Sequence, residues 1–137
     1  MADTKNWNTK IIEEFRTNEG RVGGPFEKLP LLLLHTKGAK SGEERVNPLA
    51  YMRDGKGYVV FASKGGSPTN PDWYHNVVAN PDVTVEVGTE TLKARARVAT
   101  DPERTELWTR QVASVPTFGE YEEKSGRKIP VIVIEPT

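Results

Sequence analysis

The chain has 137 residues, 36% hydrophobic and 28% charged, proportions that fit one compact domain and leave little room for two. Nineteen lysines and arginines balance nineteen aspartates and glutamates, so the basic excess of a nucleic-acid binder is missing and an anion would have to be held by a local cluster. Cysteine is absent and histidine occurs twice, at His35 and His75, which excludes disulfides, thiol chemistry and cysteine-type zinc sites.

Within residues 6–18, apolar Trp7, Ile11 and Phe15 recur at i, i+4 and i+8 among polar neighbours, predicting a short amphipathic helix closed by Gly20. Residues 1–10 lack the apolar stretch of a secretory signal. The longest apolar run, residues 29–34 with Pro30 inside it, is far short of the roughly 20 residues that span a bilayer. A cytoplasmic protein is expected. The apolar face of the first helix is able to cover a site or to rest on a lipid surface, which makes residues 1–18 a candidate for peripheral membrane contact. Residues 20–30, with three glycines and two prolines, read equally as a connector or as a lid.

Strand patterns follow. Residues 31–36 are a continuous apolar run, residues 46–53 follow the turn Gly38-Ala39-Lys40-Ser41-Gly42, and residues 58–63 follow the hairpin signal Asp54-Gly55. Three consecutive strands predict an antiparallel meander. Asn70-Pro71 opens a helix over residues 72–79, which Asn80-Pro81 closes. Val83, Val85 and Val87, and then Leu92, Ala94, Ala96 and Val98, alternate with polar residues as in a hairpin of half-buried strands. A helix from Asp101-Pro102-Glu103 runs to about residue 114, residues 116–121 with Phe118 and Tyr121 read as an aromatic loop, and residues 129–134 form a last strand. The expected fold is mainly β (α+β): a six-stranded antiparallel barrel with short peripheral helices, because closure removes exposed sheet edges. Residues 1–19 are the helix and residues 20–137 a single barrel domain.

The chain carries no dinucleotide fingerprint, no phosphate-binding lysine loop and no nucleophile elbow. Two cationic, glycine-bearing segments remain. The first, residues 37–45, gathers Lys37, Lys40, Ser41 and Arg45 around a tight turn where backbone amides can converge on an anion. The second, Ser63-Lys64-Gly65-Gly66-Ser67, leaves the end of a strand, and a meander brings both to one mouth of the barrel. Taken alone, each segment reads first as a solvated turn. Next to them, Trp73, Tyr74, His75 and Asn76 open a helix whose N-terminus follows a glycine loop. Trp73 also fits a plain core anchor, and Phe118 and Tyr121 fit packing over the barrel end.

These stretches together resemble the deazaflavin-dependent nitroreductase family of split β-barrel oxidoreductases, which use coenzyme F420. The resemblance covers nearly the whole chain and is most specific where ASKGG at residues 62–66 is followed by PDWYHNVVANP at residues 71–81. It implies a six-stranded split β-barrel, with residues 20–137 as the cofactor-binding unit. It implies that Lys40, Ser41 and Arg45 hold the phosphate and the acidic tail of the cofactor, and that Ala62, Ser63, Lys64, Gly65 and Gly66 cradle the phosphate or the deazaflavin. Trp73 and Asn76 line the cofactor site in the same reading. The implied activity is hydride transfer to a small-molecule acceptor, a quinone, an activated enone or a nitroaromatic, with Tyr121 as the candidate for proton donation. An FMN-dependent split-barrel oxidoreductase and a non-catalytic binder of a deazaflavin or lipid-like ligand are the alternatives.

Overall fold

A computed structural model describes residues 2–18, 31–39, 42–55, 57–63, 70–126 and 128–137, with side chains in the first helix from Lys10 onward. In chain order the elements are α1 (Ala2–Thr17), β1 (Leu31–Lys37), β2 (Glu44–Ala50), β3 (Met52–Asp54), β4 (Gly57–Phe61), α2 (Asp72–Ala79), β5 (Asp82–Val87), β6 (Glu90–Val98), α3 (Glu103–Ser114), α4 (Thr117–Ser125) and β7 (Val131–Pro136). All strand pairings are antiparallel, in a single sheet of order β2-β1-β5-β6-β7-β4-β3.

The sheet has seven strands rather than the expected six. The residues read as one strand over 46–53 divide at Tyr51: β2 pairs with β1 at one edge of the sheet, and β3 pairs with β4 at the other. One extended stretch therefore supplies both edges, and the sheet curls into a half-barrel until they meet at the Tyr51 corner. Periodicity cannot reveal this division, because a chain that changes partner without leaving the extended conformation keeps its period of two. Pro48 sits in β2, an edge strand, the place in a sheet where proline is tolerated.

The continuous apolar runs and the alternating strands now have separate explanations. The even-numbered residues of β1, β4 and β7, including Leu32, Val60 and Ile132, face the interior, where they meet Val83 and Val85 of β5 and Ala94 and Ala96 of β6. Most of their odd-numbered residues are buried too, under helices on the outside, with His35, Lys37 and Glu135 as the exceptions. Leu31 and Leu33 lie beneath Ile11 and Phe15 of α1, while Val59, Phe61, Val131 and Val133 lie beneath Leu107, Trp108 and Phe118 of α3 and α4. Strands β5 and β6 put charged residues outside instead, which is why their pattern alternates.

Residues 116–121 are not a loop. They enter α4, which ends at Gly126 in the left-handed conformation (φ +67°). Gly119 in the middle of this helix weakens its sequence signal, since glycine disfavours helix interiors. The position has a packing reason: a Cβ there would lie 3.3 Å from Val112 Cγ1, so glycine lets α4 close on α3.

Candidate functional site

Both cationic segments leave the same end of the sheet. From β1 through β5, β6 and β7 to β4, each step reverses direction, so β1 and β4 run the same way and their C-terminal ends, Lys37 and Phe61, lie at one end. The turn after Lys37 is closed by two backbone bonds, from Gly38 N to Glu43 O (2.7 Å) and from Gly42 N to Gly38 O (2.9 Å). Gly42 has φ +72°, the left-handed region that glycine enters without strain. Arg45 stands opposite Thr36 on the neighbouring strand, its side chain about half exposed, with Glu43 at 3.6 Å. At the other segment Ala62 is fully buried, and its N–H donates to Pro130 O (3.0 Å), extending the β4–β7 ladder by one bond. Ser63 beside it is buried. Lys40, Ser41, Lys64, Gly65 and Gly66 lie outside the described residues, as do residues 20–30.

Helix α2 joins the two segments. It starts two residues after Asn70, where the chain returns from the glycine-rich segment, and its Trp73 and Val77 are buried in the barrel interior. Its opposite flank is tied to β1 and the turn beyond it. Asn76 is 7% exposed; its Oδ1 accepts the Ala39 N–H at 2.9 Å and its Nδ2 donates to Thr36 Oγ1 at 3.3 Å. One turn later Asn80 Nδ2 donates to Lys37 O at 3.4 Å. Trp73 is thus packed among core side chains, and Asn76 ties α2 to β1 and to Ala39 beyond it.

Charge is distributed unevenly around this end. Arg16, Arg95, Arg97, Arg104, Arg110 and Lys128 each hold a carboxylate at 3.4 Å or less. Lys37 and Lys93 line a groove of about 550 Å³ together with Glu44, Asp82, Thr36 and Asn80, and neither lysine has a carboxylate within ion-pair distance among the described residues.

Tyr121 lies outside the barrel, half-buried in α4, with its ring 5.3 Å from Phe118, which in turn meets Phe61 edge-on at 5.5 Å. It is two rings from the last residue of β4, where the second segment begins. Sequence reading missed what holds it there. Arg104, 7% exposed, donates to Ile129 O from Nε (3.2 Å) and Nη2 (2.7 Å) and to Glu122 Oε2 (3.0 Å), and its guanidinium lies 5.0 Å over Trp108. It binds α4 to the entry of β7. The signal was present: Arg104, Leu107, Trp108 and Gln111 share one helical face, and all four are buried. Tyr51, at the corner where the sheet edges meet, is a second phenol beside the interior, its pKa raised by burial and by Tyr58.

A curled antiparallel half-barrel with peripheral helices and cations gathered at one end has the layout of the split-barrel oxidoreductases. The chain belongs to the F420H(2)-dependent quinone reductase family, which it matches over residues 7–136. It is 40% identical over 126 residues to the F420H(2)-dependent quinone reductase Rv1261c of Mycobacterium tuberculosis, covering 88% of this chain and 83% of that protein. The solved structure of the F420-H2 dependent reductase FDR-A superposes with a TM-score of 0.71 at 42% identity, over 77% of this chain and 94% of that one. A second solved chain, described as a domain-swapped dimer, gives a TM-score of 0.73 at 36% identity over 96% of this chain and 99% of that one. Among the described residues no helix is long and apolar enough to cross a membrane.

Proposed function

We propose that this chain passes a hydride from reduced coenzyme F420 to a quinone-class acceptor, with activated enones and nitroaromatics as further acceptors of the same electrophilic kind. The observation that carries the reading is the convergence of the Gly38–Gly42 turn and the end of β4 on one end of the barrel, joined by α2. The donor set suits a long anionic ligand. Arg45 and Lys37 are cations without tight carboxylate partners among the described residues, and the sequence adds Lys40, Ser41 and Lys64 to the same two segments.

When bound, the deazaflavin supplies the hydride from its reduced ring. The work of the chain is to bind, orient and exclude water. Lys40, Ser41 and Arg45 hold the phosphate and acidic tail, Ser63, Lys64, Gly65 and Gly66 take the ring and phosphate, and Ala62 anchors that segment to β7 through Pro130. Trp73 and Asn76 line the cofactor site from α2, which also ties β1 to the barrel interior. Tyr121 supplies a hydrogen bond or proton to the acceptor as negative charge arrives on it. Membrane contact through residues 1–18 is a narrower form of the proposal. Since Ile11 and Phe15 are turned onto the barrel, it rests on the residues before Lys10, and co-sedimentation with lipid vesicles tests it.

A titration of coenzyme F420 against FMN, followed by turnover with menadione, cyclohexenone and a nitroaromatic, tests the assignment. Tight F420 binding with menadione reduction is expected. Preference for FMN, or F420 binding without turnover on any acceptor, would replace it with one of the two alternatives.

A further inference from the structure

His35 is held between two carboxylates. On the outer face of the sheet its Nε2 lies 2.6 Å from Glu86 Oε2 of β5, and its Nδ1 lies 3.3 Å from Glu44 Oε1 of β2. The His35 and Glu86 side chains are largely shielded from solvent, whereas that of Glu44 is 73% exposed. An ionised carboxylate has no proton to give, so each contact needs an N–H from the ring; neutral imidazole carries one, and only the imidazolium carries both. Glu86 also takes Arg16 of α1 in a two-pronged contact, Nε to Oε1 at 3.1 Å and Nη2 to Oε2 at 2.7 Å, and Glu44 attracts the same guanidinium. Four elements thus meet in one cluster, in which Arg16 and His35 balance Glu44 and Glu86 only while the ring is doubly protonated. The other charged groups on this face are Lys37, opposite Glu44 in the β1–β2 register, Lys93, in the row His35–Thr84–Lys93, and Asp82, which is engaged by Arg95.

We propose that His35 is a proton-operated latch on α1: doubly protonated, it draws Glu44 and Glu86 together beside Arg16 and completes the polar end of the surface on which α1 docks. The apolar end of that surface is Leu31 and Leu33 beneath Ile11 and Phe15. As pH rises through the histidine range, the proton facing Glu44 leaves first, because the shorter contact to Glu86 keeps the other. A bare nitrogen then faces a carboxylate, Glu44 turns away toward Lys37 or solvent, and α1 is left to Arg16–Glu86 and its apolar packing. The stabilisation is therefore present at mildly acidic pH and lost on the alkaline side, the opposite sense to a depressed carboxyl. Opening of the latch loosens α1 and uncovers Leu31 and Leu33 without disturbing the helices on the far side of the barrel.

Hydrogen exchange of the full chain, read by mass spectrometry and corrected at each pH for the intrinsic exchange rate, tests the latch. Helix α3 is the internal reference, since it packs over β4 and β7 away from the cluster. Between about pH 5.5 and 8.5, protection over residues 10–17 should fall about 3- to 10-fold while that over α3 holds. His35→Gln can still donate one hydrogen bond to Glu86 but carries no charge, so α1 protection in that variant should be low and independent of pH. Glu44→Gln should flatten the profile by a different route, because its amide can accept from a ring N–H or donate to the bare nitrogen. Glu44 is the more exposed of the two, and its variant carries the test if His35→Gln does not fold. A wild-type α1 whose protection does not change with pH, an equal loss over α3, or an unaltered pH profile in either folded variant overturns the proposal.

Discussion

Replacing Phe15 with alanine asks whether α1 is an appendage or part of the packed unit. Phe15 is 1% exposed and sits with Ile11 against Leu31 and Leu33, both nearly or fully buried themselves. Burying a phenylalanine side chain is worth about 1.5–3 kcal/mol in transfer alone. The cavity left under a helix that cannot fully collapse raises the cost of Phe→Ala to about 3–5 kcal/mol. That is a large share of the roughly 5–15 kcal/mol by which a domain is stable, so Phe15→Ala should fold but melt roughly 10–20 °C lower. Urea unfolding followed by tryptophan fluorescence in a Trp7→Phe background, which removes the tryptophan of α1 itself, is the assay, because Trp73 then reports the barrel interior and Trp108 the outer layer on β4 and β7. A lower midpoint with an unchanged slope is expected. Unchanged midpoints at both tryptophans, with circular dichroism showing only one helix lost, would mean that α1 detaches alone and the argument from its burial is wrong.

Tyr121→Phe keeps the ring against Phe118 and removes only the hydroxyl, so turnover should fall about 10- to 1000-fold with cofactor affinity unchanged. Stopped-flow oxidation of the reduced deazaflavin by menadione checks this, and equal rates would remove Tyr121 from the mechanism. Lys64→Ala and Arg45→Ala should each weaken cofactor binding by about 1.5–3 kcal/mol, the range of a charge-assisted hydrogen bond, and added salt should weaken wild-type binding in the same titration. Glu86 is held below its ordinary value of 4.5, first by its hydrogen bonds to Arg16 and further by His35, with burial opposing. A depressed carboxyl contributes stability that is complete above its unfolded value and is lost as pH falls through the folded one. Denaturation midpoints of the wild type should therefore drop more steeply than those of Glu86→Gln below about pH 4.5; parallel curves would show that the Arg16–Glu86 pair adds nothing to the docking of α1.

Much of the site's chemistry was legible in the chain because it depends on residue type and local spacing. Lysines, arginines and glycines clustered around two turns, and a helix opened at Asn70-Pro71 just after the second. The roles of Trp73, Asn76 and Arg104 were not legible in the same way. A tryptophan at a helix start fits a ligand platform as well as a core anchor, and only the fold shows it packed with Val77, Leu32 and Val60. Asn76 is an ordinary polar residue until Ala39 and Thr36 are seen at its two ends, 37 and 40 positions away.

The sequence by itself determined where most strands and helices lie, because hydrophobic period, turn residues and caps act over a few residues. It also determined that some strands are apolar on both sides, which requires cover on both faces of the sheet. Tertiary structure decided what supplies that cover: α1 over β1, and α3 with α4 over β4 and β7. It also decided that one extended stretch splits at Tyr51 to become both edges of the sheet, and that glycine-containing residues 117–125 form a helix against Val112. The reason is the same in each case. A strand's choice of partner and a helix's tolerance for glycine are settled by surfaces brought together from distant parts of the chain, and their energies have no counterpart in the local pattern.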